Sequence, residues 1–278
     1  VGILEFKRLG RTDVMISAIG MGTWGIGGFS APDYKYDEMA IRALRRGIEL
    51  GITLIDTAEM YGGGHSEEVV GMAIKGLREK VFIATKVWYT NLRYDDVLRS
   101  AEKSLRRLQI DTIDLYQVHW PNPHIPLSET MRAMERLVLD GKVRFIGVSN
   151  FSVKLMEEAR AALSKIDIVS NQVEYSLLSR EVEDDILPYC EKENITLIAY
   201  SPLGRGNILN DPRSKILREV AKKYNKTLVQ VALNWLIAKK PVVAIPKAIN
   251  LSHVEENVNA AGWRLSDEDL ELLSRVFI

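Results

Sequence analysis

From residue 18 to residue 261 the chain alternates short apolar runs with longer stretches of helical period. The apolar runs fall at 18–22, 52–56, 81–86, 113–119, 143–148, 168–173, 195–200 and 242–245, eight in all and mostly built from Val, Ile and Leu. Runs that are short and apolar throughout suit parallel strands covered on both faces. Between them, apolar residues recur every three or four positions over 39–50, 66–77, 94–108, 127–139, 152–163, 228–237 and 252–261. That period predicts amphipathic helices lying on such a sheet. Glu67 and Glu68 occupy the first turn of the second stretch, where the helix dipole favours acids. Gly51, Gly76 and Gly141 fall just past helix ends, where a left-handed residue is wanted.

Alternating strands and helices imply a parallel sheet with crossover helices. Eight such units without a linker-like tract predict an α/β fold of the closed (β/α)8 TIM-barrel type, one domain over 1–278. Three pieces lie outside the repeat. Residues 3–17 form two strand-like runs around Gly10-Arg-Thr-Asp13 and predict an N-terminal β-hairpin; 213–224 and 267–276 predict two extra helices.

Composition narrows the function classes. The 278 residues are 46% hydrophobic, enough for a large core, and the formal net charge is zero. No basic footprint for nucleic acid or anionic lipid is present. No apolar run approaches the ~18 residues of a membrane span. The single cysteine, Cys190, excludes an internal disulfide, fits a reducing compartment and reads as a packing residue. The start, Val1-Gly2-Ile3, shows no signal-peptide core, so a cytoplasmic location is expected. His65, His119, His124 and His253 show no metal-ligand spacing, and no metal is expected.

In a barrel, reactive groups belong at the C-terminal ends of the strands. Those ends carry Asp56 with Tyr61 five residues on, then Lys86, His119, Ser149-Asn150, Gln172 and Tyr200-Ser201. Singly, a lysine closing a strand reads as a rim charge and a histidine beside a tryptophan as packing. Together, Asp, Tyr, Lys and His on three neighbouring strands read as a site.

The chain resembles the aldo-keto reductases. The resemblance rests on Gly20-Met-Gly-Thr-Trp24, Leu54-Ile-Asp-Thr-Ala-Glu-Met-Tyr61, Thr85-Lys-Val-Trp88, Asp114-Leu-Tyr-Gln-Val-His-Trp120, Ile146-Gly-Val-Ser-Asn-Phe151, Asn171-Gln172, Ala199-Tyr-Ser-Pro-Leu203 and Ile245-Pro-Lys247, in the family's order along nearly the whole chain. It implies hydride transfer between NADP(H) or NAD(H) and small aldehydes, ketones or alcohols. It implies Asp56, Tyr61, Lys86 and His119 as the catalytic tetrad. A free tyrosine is a weak acid with a pKa near 10. A neighbouring ammonium is expected to lower the Tyr61 pKa and make it a working general acid. Asp56 would hold Lys86, and a neutral His119 would orient the substrate oxygen.

The same resemblance implies the cofactor contacts. Gly22, Thr23, Trp24 and Asp56 would lie beneath the cofactor. Ser149, Asn150 and Gln172 would hold the nicotinamide carboxamide, and Tyr200 would stack on its ring. Ser201, Pro202, Leu203 and Gly204 would follow the pyrophosphate. Lys247, Ala248, His253, Glu256 and Asn257 would meet the adenosine end. Trp24, Trp88, His119 and Trp120 would wall the substrate pocket.

Gly20-Met-Gly-Thr-Trp-Gly25 fits a dinucleotide fingerprint in spelling only, because a glycine-rich loop and no helix follows it. A glycoside hydrolase would need paired carboxylates across the rim, which the strand ends lack. The alternative that stays open is a cofactor-binding subunit with little turnover. Two departures from the family pattern stand out. Many NADPH-dependent members place Ser or Thr after the lysine and Arg six residues beyond it, where this chain has Ala248 and His253. An imidazole lacks arginine's planar fork, so discrimination between NADPH and NADH should be weak. The chain also ends at Ile278 without the longer C-terminal loop of larger relatives, so an open pocket is expected. A monomer acting on a small carbonyl or alcohol is the expected form.

Overall fold

The computed structural model describes residues 4–278. A two-stranded antiparallel hairpin comes first, β1 (Phe6–Arg8) with β2 (Met15–Ser17). Of the hairpin expected over 3–17, residue 3 lies outside the described residues. Eight parallel strands follow: β3 (Met21–Gly22), β4 (Leu54–Asp56), β5 (Phe82–Val87), β6 (Ile113–Val118), β7 (Val143–Ser149), β8 (Ile168–Glu174), β9 (Thr196–Tyr200) and β10 (Val242–Ala244). They pair in chain order from β3 to β10. The sheet then closes on itself: Ile19 bridges Ala244 in parallel, Gly20 N donates to Ala244 O at 2.8 Å and Ala244 N donates to Ala18 O at 2.9 Å. The molecule is the expected (β/α)8 barrel.

The seam explains two glycines. A Cβ on Gly22 would lie 2.6 Å from Ile245 O, and one on Gly20 would lie 2.9 Å from Leu54 Cγ. A side chain at Gly22 would hold the first strand off the backbone that follows the last, and one at Gly20 would crowd the Leu54 and Ile245 side chains in the lumen. The Gly22 approach is backbone to side-chain position across the seam, so closure of the barrel itself requires a glycine there.

Eight helices cover the sheet: α1 (Asp37–Glu49), α2 (His65–Ile74), α3 (Tyr94–Leu108), α4 (Leu127–Leu139), α5 (Val153–Ala161), α6 (Ile186–Glu193), α8 (Leu228–Ile237) and α9 (Leu251–Val258). The two extra helices are α7 (Ser214–Lys223) and α10 (Asp267–Val276), where the sequence placed them. Helix α6 has no counterpart in the sequence reading. It has eight residues with Pro188 near its start, and its one fully buried position is Cys190. Too short to show a period, it is held by packing on the sheet. Burial pushes the Cys190 thiol up to about 12, which keeps it an inert packing group.

The core divides in two. The larger part lies between sheet and helices. The smaller fills the barrel with Leu54, Phe82, Ala84, Leu115, Val169, Ile198, Val243 and Ile245, and the hairpin closes its floor with Leu9 and Ile16. Lys7, on the hairpin, donates to Ile237 O, Lys239 O and Val242 O at 2.6 to 2.7 Å, holding the turn from the end of α8 to the start of β10.

Candidate active site

Side chains on a strand alternate between its two faces, so the lumen positions can be followed upward two at a time. On β4 they run from Leu54 to Asp56, on β5 from Phe82 through Ala84 to Lys86, and from β6 into its loop from Leu115 through Gln117 to His119. Each column starts apolar at the floor and ends polar at the mouth.

Strand β8 breaks the rule. Its pairing with β7 runs Ile146↔Ile168 and then Val148↔Asn171, three residues against two. This bulge reverses the parity, so that Val169 fills the lumen below and Gln172 reaches it above. Room comes from Gly147, where a Cβ would lie 2.3 Å from Ser170 Oγ. Asn171 is turned outward and its Nδ2 donates to Phe151 O at 2.9 Å.

The four residues expected as a tetrad meet at the mouth. Lys86 is 0% exposed and Asp56 1%. Lys86 Nζ donates to Asp56 Oδ1 at 2.5 Å, to Thr57 O at 2.9 Å and to Tyr61 Oη at 3.2 Å. Burial alone would lower the Lys86 pKa, but Asp56 and Tyr61 outweigh it and hold the ammonium. Tyr61 begins a tight turn, Tyr61–Gly64, in which Gly62 and Gly63 are left-handed. A Cβ on Gly62 would lie 2.1 Å from Gly27 O, so the turn is pressed against the loop that carries Trp24 and Phe29.

The electrostatics corrects one expectation. The Tyr61 pKa is raised, not lowered: burial is the largest cause, Lys86 lowers it, and Asp56 raises it again. The phenol is therefore a held proton at neutral pH. Beside it, His119 packs edge-on with ring centroids 5.6 Å apart. Burial first, then the Lys86 charge, lower the His119 pKa to about 2, so the imidazole is neutral. Its Nδ1 is buried without a hydrogen-bond partner among the described residues.

The other expected residues sort into three groups. Ser149, Asn150, Gln172 and Tyr200 stand together across the ends of β7, β8 and β9. Ser149 Oγ donates to Gln172 O, Asn150 Nδ2 donates to His119 O and Ser149 Oγ, and Tyr200 Oη donates to Asn150 Oδ1 at 2.8 Å. Asn150, Ser201 and Gly204 all have positive φ, which turns the chain sharply at the ends of β7 and β9. Pro202 is buried there, with Leu203 half-buried. The second group flanks the mouth. Trp24 packs on Tyr61 with centroids 4.9 Å apart, Trp88 packs on His119 at 5.0 Å, and Trp120 is 43% exposed. The third group surrounds α9. Lys247 and His253 are exposed and form no side-chain hydrogen bond or ion pair among the described residues, Ala248 and Glu256 are half-buried, and Asn257 is buried. Thr23 stands apart from all three. It is fully buried, and its hydroxyl donates to Asp56 O at 2.9 Å, so it braces β4 from beneath.

Sequence reasoning passed over three residues here. Gln117 lies inside a quoted motif, and its Nε2 donates to Asp56 Oδ2 at 3.1 Å. Glu59 accepts from Trp88 N at 2.7 Å and Asn91 Nδ2 at 2.9 Å, tying the Tyr61 loop to the Trp88 loop. His65 is held at both ring nitrogens, by Glu68 at 2.6 Å and Asp37 at 2.8 Å. The two-residue step between lumen positions could have found Gln117; no local signal marks the others. Among the described residues no group of three or more His, Cys, Asp or Glu is placed to hold a metal ion, and no helix is long and apolar enough to cross a membrane.

Comparison with known proteins agrees with this geometry. The model of the aldo/keto reductase family matches residues 18–277. Methylglyoxal reductase YeaE of Escherichia coli (strain K12) is 40% identical, over 95% of this chain and 92% of its own. A crystal structure of a thermostable aldo-keto reductase with the inhibitor epalrestat superposes with a TM-score of 0.94 at 50% identity, covering 98% of this chain and 100% of that one. An aldo/keto reductase from Klebsiella pneumoniae, solved with NADP and acetate, gives a TM-score of 0.89 at 39% identity, covering 99% and 96%. With the family's motifs in order on a closed barrel, and matches along nearly the full chain, this protein belongs to the aldo/keto reductase family.

Proposed function

We propose that this chain is a reductase of small aldehydes and ketones, methylglyoxal among them, that draws its hydride from NADPH or NADH, and that it oxidises the corresponding alcohols in reverse. The carrying observation is the buried chain from Asp56 through Lys86 to the Tyr61 hydroxyl, opening beside a neutral His119. The named activity of the Escherichia coli relative and the NADP bound in the Klebsiella pneumoniae neighbour support it.

The residues present fit a nicotinamide dinucleotide. Ser149, Asn150 and Gln172 offer amide and hydroxyl groups across two strand ends, next to the half-buried Tyr200 ring. Exposed Arg205 and Lys247, without ion pairs among the described residues, are cations free to meet the bound phosphates. When bound, the cofactor supplies a hydride to the carbonyl carbon. The protein's part is the proton. Tyr61 donates its hydroxyl hydrogen to the substrate oxygen as negative charge builds there. The Lys86 ammonium, fixed by Asp56, stabilises the phenolate left behind. His119 donates from Nε2 to the same oxygen and sets its direction. Trp24, Trp88 and Trp120 exclude water from the reacting atoms and shape the mouth.

Kinetics of purified protein with Tyr61→Phe test this reading. Carbonyl reduction should fall by about 10³-fold, within the range for removing a general acid, while NADPH affinity stays within about threefold of wild type. A variant that keeps more than about a tenth of kcat removes Tyr61 from the proton transfer, and with it the mechanism.

A further inference from the structure

Asp56 Oδ1 holds Lys86, which leaves Oδ2 as a buried carboxylate oxygen in need of donors. Two glutamines supply them. Gln172 Nε2 donates to Asp56 Oδ2 at 2.8 Å, and Gln117 Nε2 donates to the same oxygen at 3.1 Å. The amides also join each other: Gln172 Nε2 donates to Gln117 Oε1 at 3.1 Å. Gln117 Nε2 has a second acceptor in Thr85 O at 3.4 Å. Both glutamines are buried, Gln117 at 0% and Gln172 at 1% exposure.

This arrangement has one consistent orientation. An amide turned the other way would set its oxygen against the Asp56 carboxylate. With Gln117 Nε2 on Asp56, its Oε1 faces Gln172. Gln172 must then present its NH2 group to both Gln117 and Asp56, which uses both of its N–H bonds. Its carbonyl oxygen is left as the acceptor for anything bound at the mouth. The bulge in β8 makes this possible, since unbroken alternation would aim Asn171 at the lumen instead.

We infer that Gln117 is a positioning residue: its amide orients the Asp56 carboxylate toward Lys86 and fixes Gln172 with its carbonyl oxygen free to accept from the nicotinamide carboxamide. This rests on the reading of Asp56, Lys86 and Tyr61 given above. It places in the barrel interior, two residues before His119, a determinant of both proton transfer and cofactor orientation.

Two substitutions test it. Gln117→Met keeps the length of the side chain and removes both amide functions. Its kcat should fall at least about tenfold, with the KM for the carbonyl substrate changed less than about threefold, and the Kd for NADPH by tryptophan fluorescence should rise about three- to tenfold. Gln117→Glu keeps the shape and puts a second carboxyl against Asp56. Two carboxylates at that distance cannot both ionise freely. The charged and titratable groups around the new carboxyl are Asp56 from β4, Lys86 from β5, and Tyr61 and His119 from the loops above. While protonated, the introduced carboxyl still donates to Asp56, so this variant should retain activity at low pH. It should lose at least about tenfold more than wild type as pH rises from about 5 to about 9, and NADPH binding should weaken over the same range. The introduced carboxyl brings a charge of its own, so its pH profile counts only together with the losses in Gln117→Met, which carries none. Gln117→Glu with the wild-type pH profile, or Gln117→Met with kcat and NADPH Kd both within about twofold of wild type, overturns the proposal. If neither variant folds, the amide serves the core and the proposal also fails. Tyr61→Phe run alongside separates the two readings: active Gln117 variants with an inactive Tyr61→Phe discard only the role of Gln117.

Discussion

The floor and the mouth of this barrel are made by the same strands, a few residues apart, and their interiors are opposite in kind. At the floor, Leu54, Phe82, Leu115 and Val169 meet Leu9 and Ile16 from the hairpin, an interior of hydrocarbon closed to water. One or two lumen positions higher stand Asp56, Lys86, Gln117 and Gln172, equally buried but joined by hydrogen bonds. The floor needs only volume and apolarity, so its residues are exchangeable within limits. The mouth needs every donor matched to an acceptor, because an unpaired buried charge is costly. The barrel thus separates stability from chemistry along its axis.

Lys86→Met should give the largest effect, because it breaks the mouth at its one cation. Reduction should fall by about 10³-fold or more, and leaving Asp56 unpaired should cost about 3–5 kcal/mol unless the acid takes up a proton. Steady-state rates with thermal unfolding would show both losses. Retention of activity would mean that another cation serves Tyr61.

Leu9→Ala should show the converse at the floor. It should lower stability by about 2–5 kcal/mol, the usual range for emptying a buried leucine site, and leave kcat within about twofold. Urea unfolding beside kinetics on the folded protein checks it. A large fall in kcat at full folding would show that the two ends are coupled.

Two histidines near the mouth should tilt the pH dependence of stability in opposite senses. His119 has a folded pKa lowered to about 2, first by burial and then by Lys86. The unfolded chain takes up a proton near pH 6.5 that the folded one refuses, so this term falls away as pH drops below that value. His65 is the reverse. Burial would lower its pKa, but the hydrogen bonds to Glu68 and Asp37 outweigh this and raise it. Its contribution is complete below about pH 6.5 and is lost as pH rises through the raised value. Melting temperatures from about pH 4 to about pH 9 should therefore slope less on the acid side in His119→Asn, and less on the alkaline side in His65→Gln. Slopes equal to wild type would remove either histidine from the balance.

The smallest expected effect lies at the outer edge of the mouth, where no buried network operates. With Ala248 and His253 near Lys247, the chain should use NADPH and NADH within about tenfold of each other. A bidentate arginine–phosphate contact contributes about 1.5–3 kcal/mol. His253→Arg should therefore tighten NADPH by about tenfold and leave NADH unchanged, read from dissociation constants. A wild type that already prefers NADPH by about a thousandfold would place the phosphate clamp on other residues.

Much of this was legible in the residues. Eight apolar runs and the helical periods between them named the barrel, since both patterns are local. That Asp56, Tyr61, Lys86 and His119 would meet was legible because each sits at or just past a strand end. Helix α6 was missed because eight residues around Pro188 carry too little period to read. The motif around Thr23 does not say where its side chain points, and only the structure showed its hydroxyl bonded to Asp56 O. The direction of the Tyr61 shift was misjudged because an ammonium neighbour is visible in a motif and burial is not.

What the sequence determined by itself was the order of strands and helices and the kinds of group at their ends. These follow from side-chain period and from spacings of a few residues. What only the tertiary structure decided was register and environment: the bulge that turns Gln172 inward, the seam that requires Gly22, the pairing of Gln117 with Asp56, and the burial that keeps the Tyr61 proton in place. Each depends on strands brought together from distant parts of the chain, and no local pattern encodes how far one strand slides along another or how much water that contact removes.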